Sequence, residues 1–356
     1  MNHLTRIREK LTEAEALLIT DEKNQRYACG FPFTDGCILV SREKAWLLTD
    51  SRYTEAAARA VGSEVTILQF DNAHPMAAIL KQLLQEEKLQ KVAAEDQKLS
   101  HAAYTKLEKQ LALALMPAGD LMTQLRASKD AEEIAFMKQS QAISEKALDE
   151  TLQIIRPGMS EKEVASELVY RMLRFGSEGN AFDPIVVTGK NTSLPHGVPG
   201  DSILQPGDFL TMDFGSLKGG YCSDMTRTVA VCSSTDEMRN IYSIVLDAQL
   251  AGIRAAKSGI PGCEIDAAAR RVIQDAGFGS CFGHGFGHSL GLDIHERPNL
   301  NPREKTPMPE NAVVSAEPGI YLPGRFGVRI EDVMILRSDG SEVITKAPKD
   351  SLLIVG

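Results

Sequence analysis

Asp213, Asp224, His288, Glu317 and Glu331 are the residues of this chain whose types and order could do hydrolytic chemistry. They fall in three segments: DFLTMDFGSLKGGYCSDMTRTVAV (208–231), GHGFGHSLGLDIHERP (283–298) and AVVSAEPGIYLPGRFGVRIEDVMIL (312–336). Four carboxylates and one imidazole make a hard, oxygen-rich donor set. Such a set suits Mn, Co, Fe or Zn ions better than thiolates would. Convergence of the five would make a metal-dependent hydrolase.

The spacing says how they could converge. Segment 208–231 reads as a hairpin, with strands at Phe209 to Phe214 and Cys222 to Val231 around a two-residue Lys218-Gly219 turn. In that register Leu217 faces Gly220 and Asp213 faces Asp224, with Cβ atoms about 4.5–5.5 Å apart. Two like charges so placed destabilise a sheet unless a cation lies between them, and a metal pair about 3.5–4 Å apart would use both. The plain alternative is two exposed aspartates on an edge. Met212, Phe214 and the run from Thr228 to Val231 argue for burial instead. Gly324 is midway between Glu317 and Glu331, so a symmetric hairpin without a bulge opposes these two as well. Arg329 precedes Glu331 by two residues and shares its face. It could balance the carboxylates or grip a substrate carboxylate; among Val328, Ile330 and Val333 a purely surface role is the weaker reading.

Three of the seven histidines fall between residues 284 and 295. His284 and His288 are four apart, but GHGFGH is not the helical HExxH pattern. Gly283, Gly285, Gly287 and Gly291 do not keep the GxGxxG order of a dinucleotide loop. Glycines here would let backbone come close to an ion or a peptide. A single histidine is more often structural than a ligand, whereas a cluster favours at least one ligand. His196, in SLPHGVPG, lies in a loop and by itself reads as solvated.

The 356-residue length fits two domains, of which the second carries all these groups. The first reads as a small mixed sheet with flanking helices, with strands at Ala16 to Ile19, Gly36 to Ser41, Ala45 to Thr49, Val65 to Phe70 and Val92 to Glu95. A break at Pro117-Ala118-Gly119-Asp120 and a long charged helix from Asp130 to Ile155 put the boundary near residue 126. The second domain carries an internal echo: PGMSEKEVASELVYRMLRFG (157–176) and PGCEIDAAARRVIQDAGFG (261–279) each run from Pro-Gly into an amphipathic helix. Ser160 and Glu163 can form a capping box. Val164, Leu168 and Met172 share one face, as do Ile265, Ala269 and Val272. Two like halves make a pseudo-symmetric α+β domain; two unrelated capped helices are the alternative.

Composition limits the partners. A formal net charge of −9 argues against nucleic acid, which wants a basic face. No apolar run approaches the ~18 residues that span a bilayer, so no membrane partner is expected. The start reads as helix and strand, not as a signal peptide, which leads to a cytoplasmic expectation. The six cysteines form no CxxC pair and read as reduced thiols, with Cys222 packing in a strand.

Taken together, these segments resemble the pita-bread metallopeptidases of the proline-directed branch, the Xaa-Pro aminopeptidases and Xaa-Pro dipeptidases. The resemblance covers most of the chain, including DSRY at Asp50 to Tyr53 and FDPIVVTGKNTSLPHG at 182–197. It implies an α+β fold: a pita-bread catalytic domain with pseudo-twofold halves (127–356) after a smaller mixed α/β creatinase-like N-terminal domain (1–126). It implies that Asp213 is a bidentate ligand of one metal ion, that Asp224 and Glu331 bridge two ions, and that His288 and Glu317 complete the coordination of the second ion. His196 and His295 resemble the histidines that hold substrate and tetrahedral intermediate, His284 an outer member of that group, and Arg329 the arginine beside the last glutamate. The implied reaction is hydrolysis of the Xaa-Pro bond at the N-terminus of short proline-containing peptides. A hydroxide bridging two divalent ions would attack, with Mn the first expectation and Co, Fe or Zn the others. Four carboxylates against two divalent ions leave the site near neutral, and Glu317 would carry the proton to the proline nitrogen. A homodimer is implied by the resemblance alone. Strict dipeptidase action is the alternative, and Arg297 in HERP is not firmly matched to a substrate-binding position. Methionine aminopeptidases share the ligands but usually lack such an N-terminal domain. Creatinases have the domain without the full metal set, and non-catalytic peptide-binding relatives typically lose ligands that are all present here.

Overall fold

Apolar runs too short for helices make the strands of the first unit, which extends to Arg126. The computed structural model describes residues 3–356. Ala16–Ile19 and Gly36–Ser41 lie at the middle of a six-stranded mixed sheet, antiparallel to one another. Ala45–Thr49 and Val65–Gln69 extend it on one side, Val92–Ala94 and Met116–Pro117 on the other. The alanine-rich helix after Asp50-Ser51-Arg52-Tyr53 is Thr54–Ala60.

The second unit, Ala127–Gly356, is built twice over from helix pairs against sheets. Helix Ala131–Leu152 opens on a capping box between Asp130 and Glu133, and helix Glu161–Arg174 on one between Ser160 and Glu163. Each box satisfies backbone donors that a helix start leaves open. Val164, Leu168 and Met172 are buried against a four-stranded sheet ordered Ile354–Val355, Met225–Val231, Phe209–Phe214, Ile185–Thr188. The second pair is Asp236–Ala255 and Gly262–Asp275. Its buried stripe is Ile265, Ala269 and Ile273. Val272 is only half-buried, so the stripe follows the four-residue step and not the expected Ala269-to-Val272 step. This pair packs on a five-stranded sheet ordered Glu296–Leu300, Gly287–Ser289, Val313–Ala316, Asp332–Leu336, Ser341–Val343. Each half thus has its own apolar cluster, with Phe209 and Ala230 of the first sheet packed into that of the second half. Among the described residues no helix is long and apolar enough to cross a membrane.

One register differs from the sequence reading. The turn is Gly219-Gly220, with φ of 59° and 77°. A two-residue turn with both central residues at positive φ matches strand twist, and glycine takes that conformation without a Cβ clash. Lys218 would have to take it in the expected turn. Leu217 therefore pairs with Cys222, not Gly220, and Asp213 faces Thr226, not Asp224. Asp224 lies two residues before Thr226, so period-2 alternation keeps both aspartates on one face, now diagonally related. The second hairpin keeps its expected register. Gly319 pairs with Arg329 and Ala316 with Asp332, and continuing either ladder sets Glu317 opposite Glu331.

Two of the glycines before His288 make room for neighbouring backbone. A Cβ on Gly287 would lie 2.1 Å from the Ser315 carbonyl oxygen, and one on Gly285 2.8 Å from that of Leu300. Gly285 and Gly287 thus admit neighbouring backbone. Gly287→Ala should therefore destabilise the protein by about 1–3 kcal/mol, the range for overpacking. Gly283→Ala, with nothing within 4 Å, should be near neutral. Urea unfolding of the two variants checks this, and equal midpoints would refute the packing argument.

Candidate metal centre

The five candidate ligands line one cavity of about 660 Å³, together with His196, His284, His295 and Arg329. Asp213 comes from strand Phe209–Phe214 and Asp224 from just before strand Met225–Val231. His288 is in strand Gly287–Ser289. Glu317 and Glu331 sit where the two ladders of the second hairpin are interrupted, between Ala316 and Gly319 on one side and Arg329 and Asp332 on the other.

The ligand atoms of Asp224, His288 and Glu331 lie within 4.8 Å of one another. His288 Nε2 is 3.6 Å from Asp224 Oδ2 and 3.3 Å from Glu317 Oε1. Its Nδ1 is 3.1 Å from the Ser289 carbonyl, which can only accept. The proton therefore sits on Nδ1, and Nε2 turns a lone pair toward the carboxylates, as a metal-binding imidazole needs. Burial pushes the His288 pKa down, which keeps the ring neutral.

The carboxylates are held individually and repel one another collectively. Thr226 Oγ1 donates to Glu331 Oε2 at 2.7 Å, and Ser315 Oγ donates to Glu317 Oε1 at 3.1 Å. Burial, then the charges of Asp213 and Glu317, raise the Asp224 pKa well above the carboxylate range. Burial and then Asp224, Glu317 and Asp213 do the same to Glu331. Burial likewise raises Glu317. Against this stands the buried guanidinium of Arg329, whose Nη2 is 2.6 Å from Asp213 Oδ2. Burial opposes its charge, but Tyr321, Asp213, Glu317 and Glu331 together raise its pKa.

Two oxygens test whether metal belongs here. Asp213 Oδ1 and Glu331 Oε1 are buried and have no hydrogen-bond partner. Buried polar atoms are nearly always paired, because leaving one unpaired costs about 1–3 kcal/mol. Unpaired anionic oxygens beside a lone-pair imidazole fit divalent cations. The donor set is all oxygen and nitrogen, since Cys222 packs in its strand and lies off the cavity lining.

The other predicted residues fall into two groups. His196 and His295 are exposed at the cavity, and the His295 ring centroid is 4.3 Å from that of His288. His284 and Arg329 are engaged by protein. His284 Nδ1 donates to the Gly285 carbonyl and its Nε2 accepts from the Tyr321 hydroxyl, each at 2.9 Å. Arg329 donates to Tyr321 Oη, Thr226 Oγ1 and the Pro195 carbonyl besides Asp213. Of the two uses foreseen for Arg329, these contacts match the balancing of carboxylates. A second buried arginine, Arg227, donates to the Glu331 carbonyl at 2.6 Å and pairs with Asp332 at 2.8 Å. Sequence reasoning missed Thr226, Ser315, Tyr321 and Arg227. Period-2 alternation from Asp224 and Glu317 would have put Thr226, Ser315 and Tyr321 on the site face. Arg227 is on the other face of its strand and carried no such signal.

The description "Metallopeptidase family M24" matches residues 135–338, and "Creatinase/Prolidase N-terminal domain" matches residues 3–128. A solved Xaa-Pro dipeptidase from Bacillus anthracis is 39% identical, covers 99% of both chains and superposes with a TM-score of 0.95. A solved X-Pro aminopeptidase from Thermotoga maritima is 37% identical over 98% of this chain and 99% of its own, with a TM-score of 0.92. The Xaa-Pro dipeptidase of Pyrococcus horikoshii is 33% identical over 338 residues, 94% of each chain. The chain belongs to metallopeptidase family M24, as a member of its proline-directed pita-bread group with a creatinase/prolidase N-terminal domain.

Proposed function

We propose that this metallopeptidase is an exopeptidase that cleaves the Xaa-Pro bond at the N-terminus of short peptides. Asp213, Asp224, His288, Glu317 and Glu331 would hold two divalent ions, manganese first among Mn, Co, Fe and Zn. The observation that carries the reading is the pair of unpartnered buried oxygens, Asp213 Oδ1 and Glu331 Oε1, in a cavity edged by histidines. Bound ions would supply the positive field that ionises a water near neutral pH and polarises the scissile carbonyl.

The chain's own groups do the rest. His196 and His295, exposed at the cavity, donate hydrogen bonds to the oxygen that becomes anionic. Glu317 takes a proton on its carboxylate and delivers it to the proline nitrogen, which leaves poorly without one. Its burial, which raises its proton affinity, suits that task. Arg329 and His284, tied together through Tyr321, hold Asp213 and the cavity wall in place. Phe182, Ile185 and Ile294 give the cavity apolar walls for a proline ring.

Manganese-loaded protein should cleave Ala-Pro and Ala-Pro-Pro and leave Ala-Ala intact. Hydrolysis of Ala-Ala at the same rate would refute proline direction. Cleavage of Ala-Pro alone would select the strict dipeptidase, a reading favoured by the name of the Bacillus anthracis relative. His295→Ala should lower turnover about 10²–10³-fold, as removal of an oxyanion donor does, with metal content unchanged. Metal loss in that variant would make His295 a ligand instead.

A further inference from the structure

Gln249 has no part in the chemistry above, yet it is fully buried on helix Asp236–Ala255. The face it shares with Val245, Ala248 and Gly252 is otherwise apolar. Gly252 brings that face close in: a Cβ there would lie 2.2 Å from the Phe286 ring. A buried glutamine on such a face costs free energy unless its amide is satisfied.

What satisfies it points to its use. In the continued register of the second hairpin Pro318 lies opposite Ile330. Proline has no N–H, so the ladder cannot close on the Ile330 carbonyl. Gln249 Nε2 reaches that carbonyl at 3.3 Å and the Ala316 carbonyl at 3.1 Å. These two carbonyls belong to the residues immediately before Glu331 and Glu317. Lys349 fixes which way the amide points: its Nζ, a donor only, is 2.6 Å from Gln249 Oε1. Lys349 also pairs with Asp332, whose other oxygen holds Arg227, and Arg227 donates to the Glu331 carbonyl. These hydrogen bonds run from the Ile330 carbonyl to the Glu331 carbonyl, and the backbone between the two closes the loop.

We infer that Gln249 is a positioning residue for metal binding: its side-chain amide replaces the donor missing at Pro318 and fixes the backbone that aims Glu317 and Glu331. This rests on the reading of those two glutamates as metal ligands. Outer partners that orient ligands typically change metal affinity 10–100-fold when removed.

The test uses the full chain with Gln249→Met, which fills the slot without donating. Two quantities are measured: Mn²⁺ affinity by calorimetric titration, and amide hydrogen exchange over residues 313–334 without metal. The expected result is a Kd for Mn²⁺ at least tenfold weaker than wild type, with faster exchange at Glu317 and Glu331. Lys349→Met, which only frees the amide to turn, should move both in the same direction by less; it decides the matter if Gln249→Met does not fold. A Kd within twofold of wild type and unchanged exchange would overturn the inference, even if thermal stability fell. Should wild type bind no Mn²⁺, the metallopeptidase reading of the site fails, and exchange alone then decides whether Gln249 holds these strands.

Discussion

Glu331→Gln should reduce peptide hydrolysis to background and, in the same protein, make the metal-free fold more stable. Both effects come from one charge. Without metal, Glu331 is buried beside Asp224, Glu317 and Asp213, and its pKa is raised well above the usual range. A carboxyl that binds its proton more tightly folded than unfolded stabilises the fold at low pH. That contribution is complete below the unfolded value of about 4.3 and is lost as pH rises through the folded value. The metal-free protein should therefore lose stability as pH increases above the ordinary carboxylate range. Each tenfold of proton affinity amounts to about 1.4 kcal/mol. Glutamine keeps the shape and can still accept from Thr226 Oγ1, so the variant should show a flatter profile.

Metal reverses the ranking. A cation bound only by the folded state stabilises by about 2.7 kcal/mol at 100 times its Kd. That is about 2–4 °C in Tm per kcal/mol for a domain of roughly 150–250 residues. Wild type should gain that increment in Mn²⁺ at pH 7.5, and Glu331→Gln should gain little. Asp224→Ala should likewise lose activity and metal. Scanning calorimetry across pH with and without Mn²⁺, beside an Ala-Pro assay, checks all of this. Full activity in Glu331→Gln, or an undiminished Mn²⁺ increment, would remove Glu331 from the ligand set.

Arg329→Met should be the most destabilising single change at the site, by about 3–5 kcal/mol, as when one partner is removed from a buried ion pair. Arg329 is 4% exposed and forks onto Asp213, Thr226, Tyr321 and the Pro195 carbonyl. Its loss leaves Asp213 Oδ2 unpaired next to an oxygen that already has no partner. Arg329→Lys should rescue little, because one ammonium cannot reproduce the planar fork. Mn²⁺ should recover part of the loss, since a bound cation would supply positive charge in place of the guanidinium. Urea unfolding measures it; a loss below 1 kcal/mol would mean that the guanidinium is dispensable.

How much of this was legible beforehand depends on the range of the signal. The capping boxes at Asp130 and Ser160 and the short apolar strands are local patterns, and the sequence displays local patterns directly. The second hairpin was legible because its turn centre, Gly324, is unambiguous. The first was misjudged by one residue at the turn, since Lys218-Gly219 and Gly219-Gly220 look equally turn-like until both φ values are required to be positive. The aspartates survived the error because side-chain alternation has a period of two. Gln249 and Arg227 were out of reach. Each bonds to residues about 70–120 positions away, and neither lies in a motif. A polar residue in the otherwise apolar face of helix Asp236–Ala255 was the one available hint. The resemblance pointed to the five candidate ligands, but not to what holds them.

The two halves of the second unit trade arginines. Arg227, from the sheet of the first half, pairs with Asp332 of the second, and Arg329 of the second pairs with Asp213 of the first. Each half thus hands a cationic side chain across the seam and receives one, so the seam is fastened without any bound metal. Cofactor exchange then resembles changing a bulb in a fixed socket, and demetallated enzyme should regain function on simple remixing with Mn²⁺, with no refolding lag.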